Sequence, residues 1–364
     1  MTPPSFSICI PNYNYGHYIG QTIQSVLDQT YQNFEIIVSD NASTDNSIEV
    51  VNSFRDPRIR LIQNNYNIGF APNLQCATMF AKNDFINLLS SDDLMTPQAL
   101  ETYANILSER GERAAQTVLS ADAELVDAHG DVVGQIRKAP GSHDTLTIRG
   151  DDDQPLARLA PHPGGRYQTF SGLEVLRDVL PRLRNFAPFL TVVYPRVLWQ
   201  AVEGYNAVRT IGPDKFFHYK LLAQNPDVVY VPAPLYRYRV HLSTNQESQK
   251  TNIKQQLDDY LYTLEYSDPF LNSLGLTRQM LIEAFLNRVC LKNGLTQLVY
   301  GSYTQAFRML ACTLATYPGQ TLRQKRFYML LGLLACGPLA RPLARLFYHG
   351  YHAGELARLQ SEQS

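Results

Sequence analysis

Four aspartates occupy positions at which carboxylates can act on a ligand. Asp40 and the pair Asp92-Asp93 each follow a short apolar run that predicts a buried strand, and Asp214 follows a Gly-Pro pair at the start of a predicted helix. A carboxylate can accept hydrogen bonds, ligate a hard cation or remove a proton from a hydroxyl group. Aspartates are also frequent in turns and at helix N-termini, so the residue types alone leave structural roles open.

Strands and helices alternate along the part of the chain that carries the first three of these aspartates. The segments that predict them are the strands Phe6–Ile10, Phe34–Val38, Ile59–Ile62 and Phe85–Leu89, the helical stripe Ile19, Ile23, Val26 and Leu27, and the helix from Pro72 to Ala81. Repeated βα units with nearly continuous apolar strands indicate a doubly wound α/β fold with a mainly parallel sheet. Ligands bind beyond the carboxyl ends of such strands, where Asp40 and Asp92-Asp93 are expected.

The pattern changes after about residue 116. The further predicted elements are a hairpin over 118–126 and 132–136, helices over 173–180 and 213–223, and strands at Phe189–Tyr194, Val228–Val231 and Leu235–Tyr238. Residues 138–168 are rich in Pro, Gly and Asp and predict a surface loop, in which we interpret Asp151-Asp152-Asp153 as solvated. Helices are predicted from about residue 250 to the end, so we expect a domain over 1–249, with halves 1–110 and 111–249, and a helical extension over 250–364.

Charge is distributed unevenly along the chain. The net charge is -1, but residues 284–364 contain nine Lys or Arg and two Glu, a net +7 that leaves -8 on the first 283 residues. The apolar run Phe327–Ala340 has about 14 residues, fewer than the ~20 that cross a bilayer, and basic residues flank it. This pattern predicts peripheral contact with an anionic membrane through residues 284–354, and a helix buried against the rest of the protein is the alternative.

Composition excludes several other classes of protein. The chain is 45% apolar and 18% charged, which is typical of a globular protein and not of a disordered one. Its five cysteines lack any CxxC pairing and predict buried thiols in a reducing compartment. The N-terminus has no signal-peptide pattern, so we expect a cytoplasmic protein. No GxGxxG follows the first strand, which disfavours a dinucleotide oxidoreductase, and no nucleic-acid-binding motif accompanies the basic tail.

Six segments occur in the order and spacing of the family 2 glycosyltransferases. They are SFSICIPNYN, TIQSVLDQTYQNFEIIVSDNASTDNS, NNYNIGFAPN, FINLLSSDDLMTP, GPDKFFHYKLLA and YRYRVH. The chain therefore resembles this family over about residues 5–245. The resemblance implies the GT-A fold, with a nucleotide-binding half over 1–110 and an acceptor half over 111–249, and a nucleotide diphosphate sugar as donor.

The resemblance also implies which residues line the nucleotide site. These are Pro11, Tyr13, Asn14, Asp40, Asn67, Gly69, Asn73, Asp92 and Arg239. Asp40 is expected to accept a hydrogen bond from a pyrimidine ring N–H, and Arg239 to neutralise phosphate. A turn or helix cap is the structural alternative for Asp40, and the role of Asp45 stays open between binding and capping.

The metal ligands implied by the resemblance are Asp92, Asp93 and His241, with Mg²⁺ or Mn²⁺ bound to the donor diphosphate. The sequence departs from the family pattern nearby, because Ser90 stands where Asp is usual and Asn41-Ala42 replaces a common Asp-Gly. Fewer carboxylates are therefore available to the cation, although the substrate phosphates supply further oxygens.

Asp214 stands where the catalytic base of the family stands. The resemblance implies that it takes the proton of the acceptor hydroxyl as that oxygen attacks the anomeric carbon of the donor, with inversion. A helix N-terminus favours the charged carboxylate and lowers its pKa. Stabilisation of the helix dipole alone is the structural alternative.

We expect an inverting glycosyltransferase that moves one sugar, from UDP or dTDP, to a hydroxyl of a cell-surface glycan intermediate, lipid-linked if the tail contacts a membrane. The transmembrane helices and Gln-x-x-Arg-Trp motif of processive synthases are missing, which favours single addition. A nucleotidyltransferase is disfavoured because no Gly-rich loop with a basic residue follows the first strand. A weak or non-catalytic sugar-nucleotide or carbohydrate-binding protein on the same fold is the alternative, motivated by Ser90.

Overall fold

The protein forms two compact units. The computed structural model describes residues 2–138, 145–148, 166–205, 212–240 and 253–347. The first unit comprises Met1–Leu180 and Arg184–His241, and the second comprises Pro181–Leu183 and Leu242–Ser364.

One sheet forms the centre of the first unit, and the described residues contribute eleven strands to it. In chain order these are β1 Phe6–Asn12, β2 Phe34–Asp40, β3 Ile59–Gln63, β4 Phe85–Leu88, β5 Leu94–Met95, β6 Thr117–Val126, β7 Val132–Arg137, β8 Thr145–Ile148, β9 Gln168–Ser171, β10 Val193–Pro195 and β11 Asp227–Arg239. The main path is β3-β2-β1-β4-β10-β6-β11-β5, with β7 paired to β6, β8 to β7 and β9 to β11. Apart from β10 and β5, the strands of this path run in one direction, which confirms the predicted mainly parallel α/β sheet.

Helices cover this sheet. They are α1 Gly16–Leu27, α2 Ser47–Ser53, α3 Phe70–Met79, α4 Ala99–Arg110, α5 Gly172–Val179, α6 Arg196–Ala201 and α7 Pro213–Ala223. The predicted stripe of α1 is confirmed, because Ile19, Ile23 and Val26 are fully buried in the core that the strands and α4 also line. Burial of one helical stripe against an apolar sheet is the main source of stability for such short helices.

Two strand predictions in the first unit need correction. Strand β1 does not stop at Pro11 but continues to Asn12. Its pairing with β4 ends at Cys9, so the missing N–H of Pro11 removes no hydrogen bond from the sheet. The predicted strand Phe189–Tyr194 is wrong over its first half, where a 3-10 turn at Phe189–Thr191 precedes the short strand β10.

The second half of the sheet departs further from the predictions. The two short strands expected near its end form one strand, β11, with register shifts against β6 around Pro234. Prolines have no backbone N–H to donate, so the ladder is interrupted there without ending the strand. The surface loop expected over 138–168 is wrong at β8, and Asp151-Asp152-Asp153 lie outside the described residues.

The second unit is helical, as predicted. Its described helices are Ile253–Glu265, Asp268–Ser273, Arg278–Asn287, Gly294–Tyr300, Tyr303–Thr316, Pro318–Thr321, Lys325–Ala335 and Gly337–Phe347. Within the described ranges, no single helix is long and apolar enough to cross a membrane. The last two helices pass that test of length and composition only as a pair, and they are bent by 117° relative to each other.

Candidate functional site

The carboxyl ends of the parallel strands bring the predicted site residues to one edge of the sheet. Asn12 and Asp40 end β1 and β2 and are direct register partners. Asp92-Asp93 follow β4, which is parallel to β1, and Arg239 ends β11. Because the carboxyl ends of strands that run in one direction meet at the same edge, this edge is the expected ligand side of the sheet.

Asp40 is buried and tightly held at this edge. Its Oδ1 accepts hydrogen bonds from Asn12 Nδ2 at 2.8 Å and from Ser43 Oγ at 2.6 Å, and its Oδ2 accepts one from the Ser43 backbone N–H at 2.9 Å. The residue is only 2% exposed. A carboxylate has about four acceptor positions, so one position on Oδ2 remains beyond these three bonds. Sequence analysis did not predict this role of Asn12, the last residue of β1, because residue type alone does not indicate it.

The turn after β1 is built on Asn14. This residue has a positive φ of 57°, which Asn tolerates better than most residues. Its backbone N–H donates to Ser43 Oγ at 3.0 Å, and its Oδ1 accepts from the Thr44 N–H at 2.8 Å. The neighbouring Tyr13 is 42% exposed, whereas Pro11 is half-buried. The turn therefore presents an aromatic ring to solvent beside Asp40.

Asp45, whose role the sequence left open, joins the start of α1 to the start of α2. Its carboxylate accepts from the Gly16 N–H at 2.8 Å and from the Ser47 N–H at 3.0 Å. Burial acts against the charged form, but the hydrogen bonds from Ser47 and Gly16 hold the pKa of Asp45 below its usual value. A Cβ at Gly16 would lie 2.9 Å from the Ser47 backbone nitrogen, closer than real Cβ atoms come, so this approach of the two helix starts favours glycine. The contacts of Asp45 are those of a capping residue.

Asn41, where the family usually has Asp, organises the loop before α3. Its Nδ2 donates to Asn67 Oδ1 at 2.9 Å and to the Gly69 carbonyl at 3.3 Å. Its Oδ1 accepts from the Ile68 N–H at 2.9 Å. A carboxylate has no N–H to donate, so Asp could not make the first two bonds. The departure from the family pattern is therefore explained by local structure.

Asn73 and Gly69 fix the start of α3. Asn73 is buried, accepts from Ser39 Oγ at 2.8 Å and donates to the Ser39 carbonyl at 3.1 Å. Gly69 precedes the helix with a φ of 93°, a backbone conformation that favours glycine. Asn67, Gly69 and Asn73 are the residues predicted to line the nucleotide site. Hydrogen bonds hold them in place at the ends of β2 and β3.

Asp93 is the most buried carboxylate of the predicted metal site. It is 1% exposed, its Oδ1 accepts from the Arg239 backbone N–H at 2.9 Å, and the Ser90 side chain also hydrogen bonds to it. Burial, followed by the negative charge of Asp92, raises the pKa of Asp93 well above its usual value. The attraction of Arg239 does not offset these two effects. Ser90, which replaces the usual Asp, therefore helps to hold Asp93 in place.

The donor atoms present at this position fit a hard divalent cation. Asp92 is half-buried beside Asp93, whereas His241 lies outside the described residues. No cluster of three His, Cys, Asp or Glu side chains suited to a metal occurs in the part of the chain that the structure describes. Mg²⁺-type sites commonly use one or two carboxylates and complete their coordination with substrate phosphates and water. Asp92 and Asp93 supply two adjacent carboxylates, which meet that requirement.

Arg239 is fully buried and connects three segments at the carboxyl edge. Its Nε donates to the Asp92 carbonyl at 2.9 Å, and its Nη1 donates to the carbonyls of Asp127 at 3.0 Å and Ala128 at 2.9 Å. Its Nη2 donates to Gln21 Oε1 at 2.9 Å. These bonds use four of the five guanidinium N–H groups. Arg239 thus holds the loop that carries the aspartate pair.

Two tyrosines that the sequence did not single out flank this group. The Tyr18 ring lies 4.6 Å from the Arg239 guanidinium carbon, within the range of a cation–π contact. Burial and the charges of Asp93 and Asp92 raise the pKa of Tyr238 to about 12. Both contacts depend on residues far apart in the chain, so residue type and spacing gave no signal for them.

Asp214 lies in the first turn of α7, as predicted. Pro213 occupies the first helical position, and the Asp214 Oδ2 accepts a hydrogen bond from Asn185 Nδ2 at 2.9 Å. Three residues separate the end of α7 from the start of β11. Within the described residues, the hydrogen bonds of Asp214 lead to Asn185 and not to the Asp40 or Asp93 groups.

His218 follows Asp214 by one helical turn and is fully buried. Among the described residues neither of its ring nitrogens has a hydrogen-bond partner, and the Phe186 ring packs edge-on at 5.1 Å between centroids. Burial lowers the pKa of His218 to about 4, with a smaller opposing effect from Asp214. From the sequence, this residue was predicted only to lie in the helix over 213–223.

We expect His218 to make folding sensitive to acid. Its folded pKa lies below the ordinary value of 6.5, so its stabilising contribution is present above pH 6.5 and is lost as the pH falls towards 4. His218→Phe should remove a pH-dependent loss of unfolding free energy of about 3 kcal/mol over that range. Urea unfolding of both proteins at several pH values measures it, and parallel pH curves would contradict the assignment.

Comparisons with known proteins agree with this arrangement. Residues 7–133 match the Glycosyl transferase family 2 description. The Escherichia coli protein named UDP-Glc:alpha-D-GlcNAc-diphosphoundecaprenol beta-1,3-glucosyltransferase WfaP is 45% identical over 87 residues, which are 24% of this chain and 35% of that protein. The chain therefore spans about a third of the length of that relative.

Two further comparisons extend over most of the chain. An uncharacterized glycosyltransferase of Rickettsia prowazekii is 34% identical over 258 residues, which are 71% of this chain and 69% of that protein. The solved mannosyltransferase PcManGT from Pyrobaculum calidifontis, in complex with GDP-Man and Mn²⁺, shares the fold with a TM-score of 0.52 at 15% identity, covering 92% of this chain and 85% of that one. The protein belongs to family 2 of the glycosyltransferases and has the GT-A fold.

Proposed function

We propose that this protein transfers one sugar from a nucleotide diphosphate sugar to a hydroxyl group of a cell-surface glycan intermediate, with inversion at the anomeric carbon. The observation that carries the proposal is the pair of the half-buried Asp92 and the buried Asp93, whose loop Arg239 holds at the same sheet edge as Asp40. Two adjacent carboxylates at the carboxyl edge of a parallel sheet, of which burial raises the pKa of Asp93, suit a cation-assisted reaction better than a structural turn.

The proposed donor carries uracil or thymine. Asp40 keeps one acceptor position on Oδ2 after its bonds to Asn12 and Ser43, and a pyrimidine ring N–H can donate to it. The exposed Tyr13 directly follows Asn12, the register partner of Asp40, and its ring can stack on a flat base. Uracil and thymine present the same ring N–H, and the name of the E. coli relative, which includes UDP-Glc, favours UDP.

Mg²⁺ or Mn²⁺ is the proposed cofactor, held by Asp92, Asp93 and His241 together with the donor phosphates. When bound there, such a cation offsets negative charge on the departing diphosphate. The hydrogen bond from Ser90 to Asp93 supports this role, because it orients the carboxylate in place of the missing family aspartate. Arg239 contributes by keeping the Asp92 backbone fixed.

Asp214 is the proposed general base. It takes the proton of the acceptor hydroxyl while that oxygen attacks the anomeric carbon from the side opposite the diphosphate, which inverts the configuration. The Asn185 side chain orients Oδ2, leaving the other carboxylate oxygen for the acceptor. Asp214 lies in the first turn of α7, at the helix N-terminus.

The proposed acceptor is a glycan intermediate on a lipid carrier. The name of the E. coli relative includes a diphosphoundecaprenol acceptor, and residues 284–347 contain no acidic residue to repel an anionic lipid surface. We place the protein in the cytoplasm at the inner face of the membrane, in peripheral contact through residues 284–354. Single addition, without processive synthesis, is part of the proposal.

A donor panel tests this function. With Mn²⁺ present, UDP-glucose or UDP-GlcNAc should raise the midpoint of thermal unfolding more than GDP-mannose does, and a lipid-diphosphate-linked GlcNAc should accept the sugar in a single-turnover assay. Asp93→Asn should remove most of the Mn²⁺ response because it removes a negative ligand, whereas Asn87→Ser, which alters a buried residue on β4 before the site, should retain it. Binding of UDP without transfer or donor hydrolysis would favour the non-catalytic alternative.

A further inference from the structure

Exposed apolar side chains are concentrated in the last part of the helical unit. Among the described residues, seventeen large hydrophobic side chains are exposed, and nine of them lie between residues 303 and 347. They are Tyr303, Phe307, Leu314, Leu322, Tyr328, Leu331, Leu339, Leu346 and Phe347. Isolated exposed hydrophobics are normal on protein surfaces, but a concentration of this kind marks an interaction site.

The helix Lys325–Ala335 is apolar on both its packed and its exposed side. Phe327, Leu330 and Leu333 are buried in the core of the second unit. Tyr328 and Leu331, on the other side, are 53% and 41% exposed. A surface helix usually carries polar residues opposite its buried stripe. At Tyr328 and Leu331 the exposed side of this helix therefore lacks the polar residues that a helix facing only water usually carries there.

The following helix, Gly337–Phe347, continues the exposed apolar surface after the bend. Its Ala340 and Ala344 are buried, whereas Leu339, Leu346 and Phe347 are exposed. Each arm has eleven residues, about 16 Å of helix, and the arms are bent by 117°. A bilayer core is ~30 Å thick, so neither arm can cross it. Two short arms with outward apolar side chains suit insertion at the surface of a bilayer.

Cations border this apolar surface. Arg323 and Lys325 are exposed just before and at the start of the first arm, Arg345 is exposed directly before Leu346 in the second, and the sequence from 284 to 354 contains no Asp or Glu. Arg341 is exposed as well, while it donates to the Gly301 carbonyl at 2.7 Å and so braces the second arm against the unit. Basic residues beside inserted apolar chains are typical of segments that lie in the plane of an anionic leaflet.

We infer that Tyr328, Leu331, Leu339, Leu346 and Phe347 form a membrane-docking surface that inserts into the headgroup region of an anionic leaflet, with Arg323, Lys325 and Arg345 bound to lipid phosphates. The biological purpose of this surface rests on the proposed function, because the surface brings the enzyme to a lipid-linked acceptor. A second copy of the chain is a poorer occupant, since pairing two such surfaces would bring like charges together without acidic partners.

Vesicle sedimentation of the full chain tests this surface without donor or acceptor. At about 0.1 M salt the protein should pellet with vesicles that contain phosphatidylglycerol and much less with pure phosphatidylcholine, because each cation near the surface contributes ~1 kcal/mol. The triple variant R323Q/K325Q/R345Q should weaken binding about 100-fold. The variant Y328S/L331S/L339S should weaken it at least tenfold at equal charge.

The control variant is L257Q/L264Q, which changes two exposed leucines of the same unit outside the docking surface and should bind vesicles as the wild type does. Transfer to a soluble short-chain acceptor should be unchanged in both docking variants, so failure of docking and failure of catalysis are separated. Equal pelleting of wild type and docking variants, or equal binding to both lipids, would overturn the inference. A self-association that Y328S/L331S/L339S abolishes, without lipid binding, would overturn it in favour of a dimer.

Discussion

Asp214→Asn should reduce single-turnover sugar transfer by about 10²–10⁴-fold while leaving donor binding intact, because a positioned general base contributes that much to a proton transfer. The amide of Asn cannot take a proton at neutral pH but can still accept the hydrogen bond from Asn185. Helix α7 should therefore keep its start, and the fold should be undisturbed. Thermal shifts with UDP-sugar and Mn²⁺ report binding, and chemical-quench assays report transfer.

Asn185→Ala should affect the same step as Asp214→Asn, but by a smaller factor. It removes the only hydrogen bond recorded between Asp214 and another described side chain, and it should lower the rate by about tenfold without changing donor affinity. A higher rate in Asn185→Gln, which keeps an amide donor, than in Asn185→Ala would support an orienting role for the amide. Unchanged turnover in Asp214→Asn would rule out Asp214 as the base.

Arg239→Lys should be the most damaging conservative substitution in the protein. A lysine has three donors on one nitrogen and cannot reach the carbonyls of Asp92, Asp127 and Ala128 as the guanidinium does. The buried carbonyls would lose charged donors, each worth about 1.5–3 kcal/mol, so we expect a loss of several kcal/mol in unfolding free energy. The loop of Asp92 and Asp93 should lose its fixed position, and the Mn²⁺ response should fall with it.

Arg237→Lys provides the matched control on the same strand. Its Nε pairs with Glu124 at 3.0 Å, but its side chain is 41% exposed, so its replacement should change unfolding free energy by less than about 1 kcal/mol. Gln21→Ala tests the contacts of Arg239 from the acceptor side, because it removes one hydrogen-bond acceptor and leaves the arginine in place. If Arg239→Lys weakened Mn²⁺ binding no more than Arg237→Lys does, Arg239 would not be a positioning residue of the site.

Hydrophobic periodicity predicted the first half of the fold well. The runs at Phe34–Val38 and Phe85–Leu89 are strands because their side chains are buried on both faces of a parallel sheet, a pattern that residue type records directly. Asp40 and Asp92-Asp93 could be expected at one edge for the same reason. The pattern was less informative after residue 116, where β10 is three residues long and prolines interrupt the pairing of β11.

Residue types predicted which residues form the site, but they did not predict which hydrogen bonds connect them. Nothing in the sequence linked Arg239 to Asp92, from which it is separated by 147 positions, or Asn185 to Asp214. Asn41 read as a departure from the family, yet it donates two hydrogen bonds that an aspartate cannot make. Such hydrogen bonds depend on which strands and loops lie next to each other in the fold. Contacts between segments that are distant in sequence cannot be inferred from local hydrophobic periodicity.

The sequence by itself determined the βα alternation, the acidic residues after the strands, the family and the basic, acid-free tail. These follow from local composition and spacing, which act within a few residues along the chain. Only the tertiary structure decided that Arg239 supports the Asp92-Asp93 loop through carbonyls, that His218 is buried with no hydrogen-bond partner in the described part of the chain, and that Tyr328 and Leu331 are exposed. Burial and hydrogen bonding are properties of packed surfaces, so they are defined only once distant segments lie against each other.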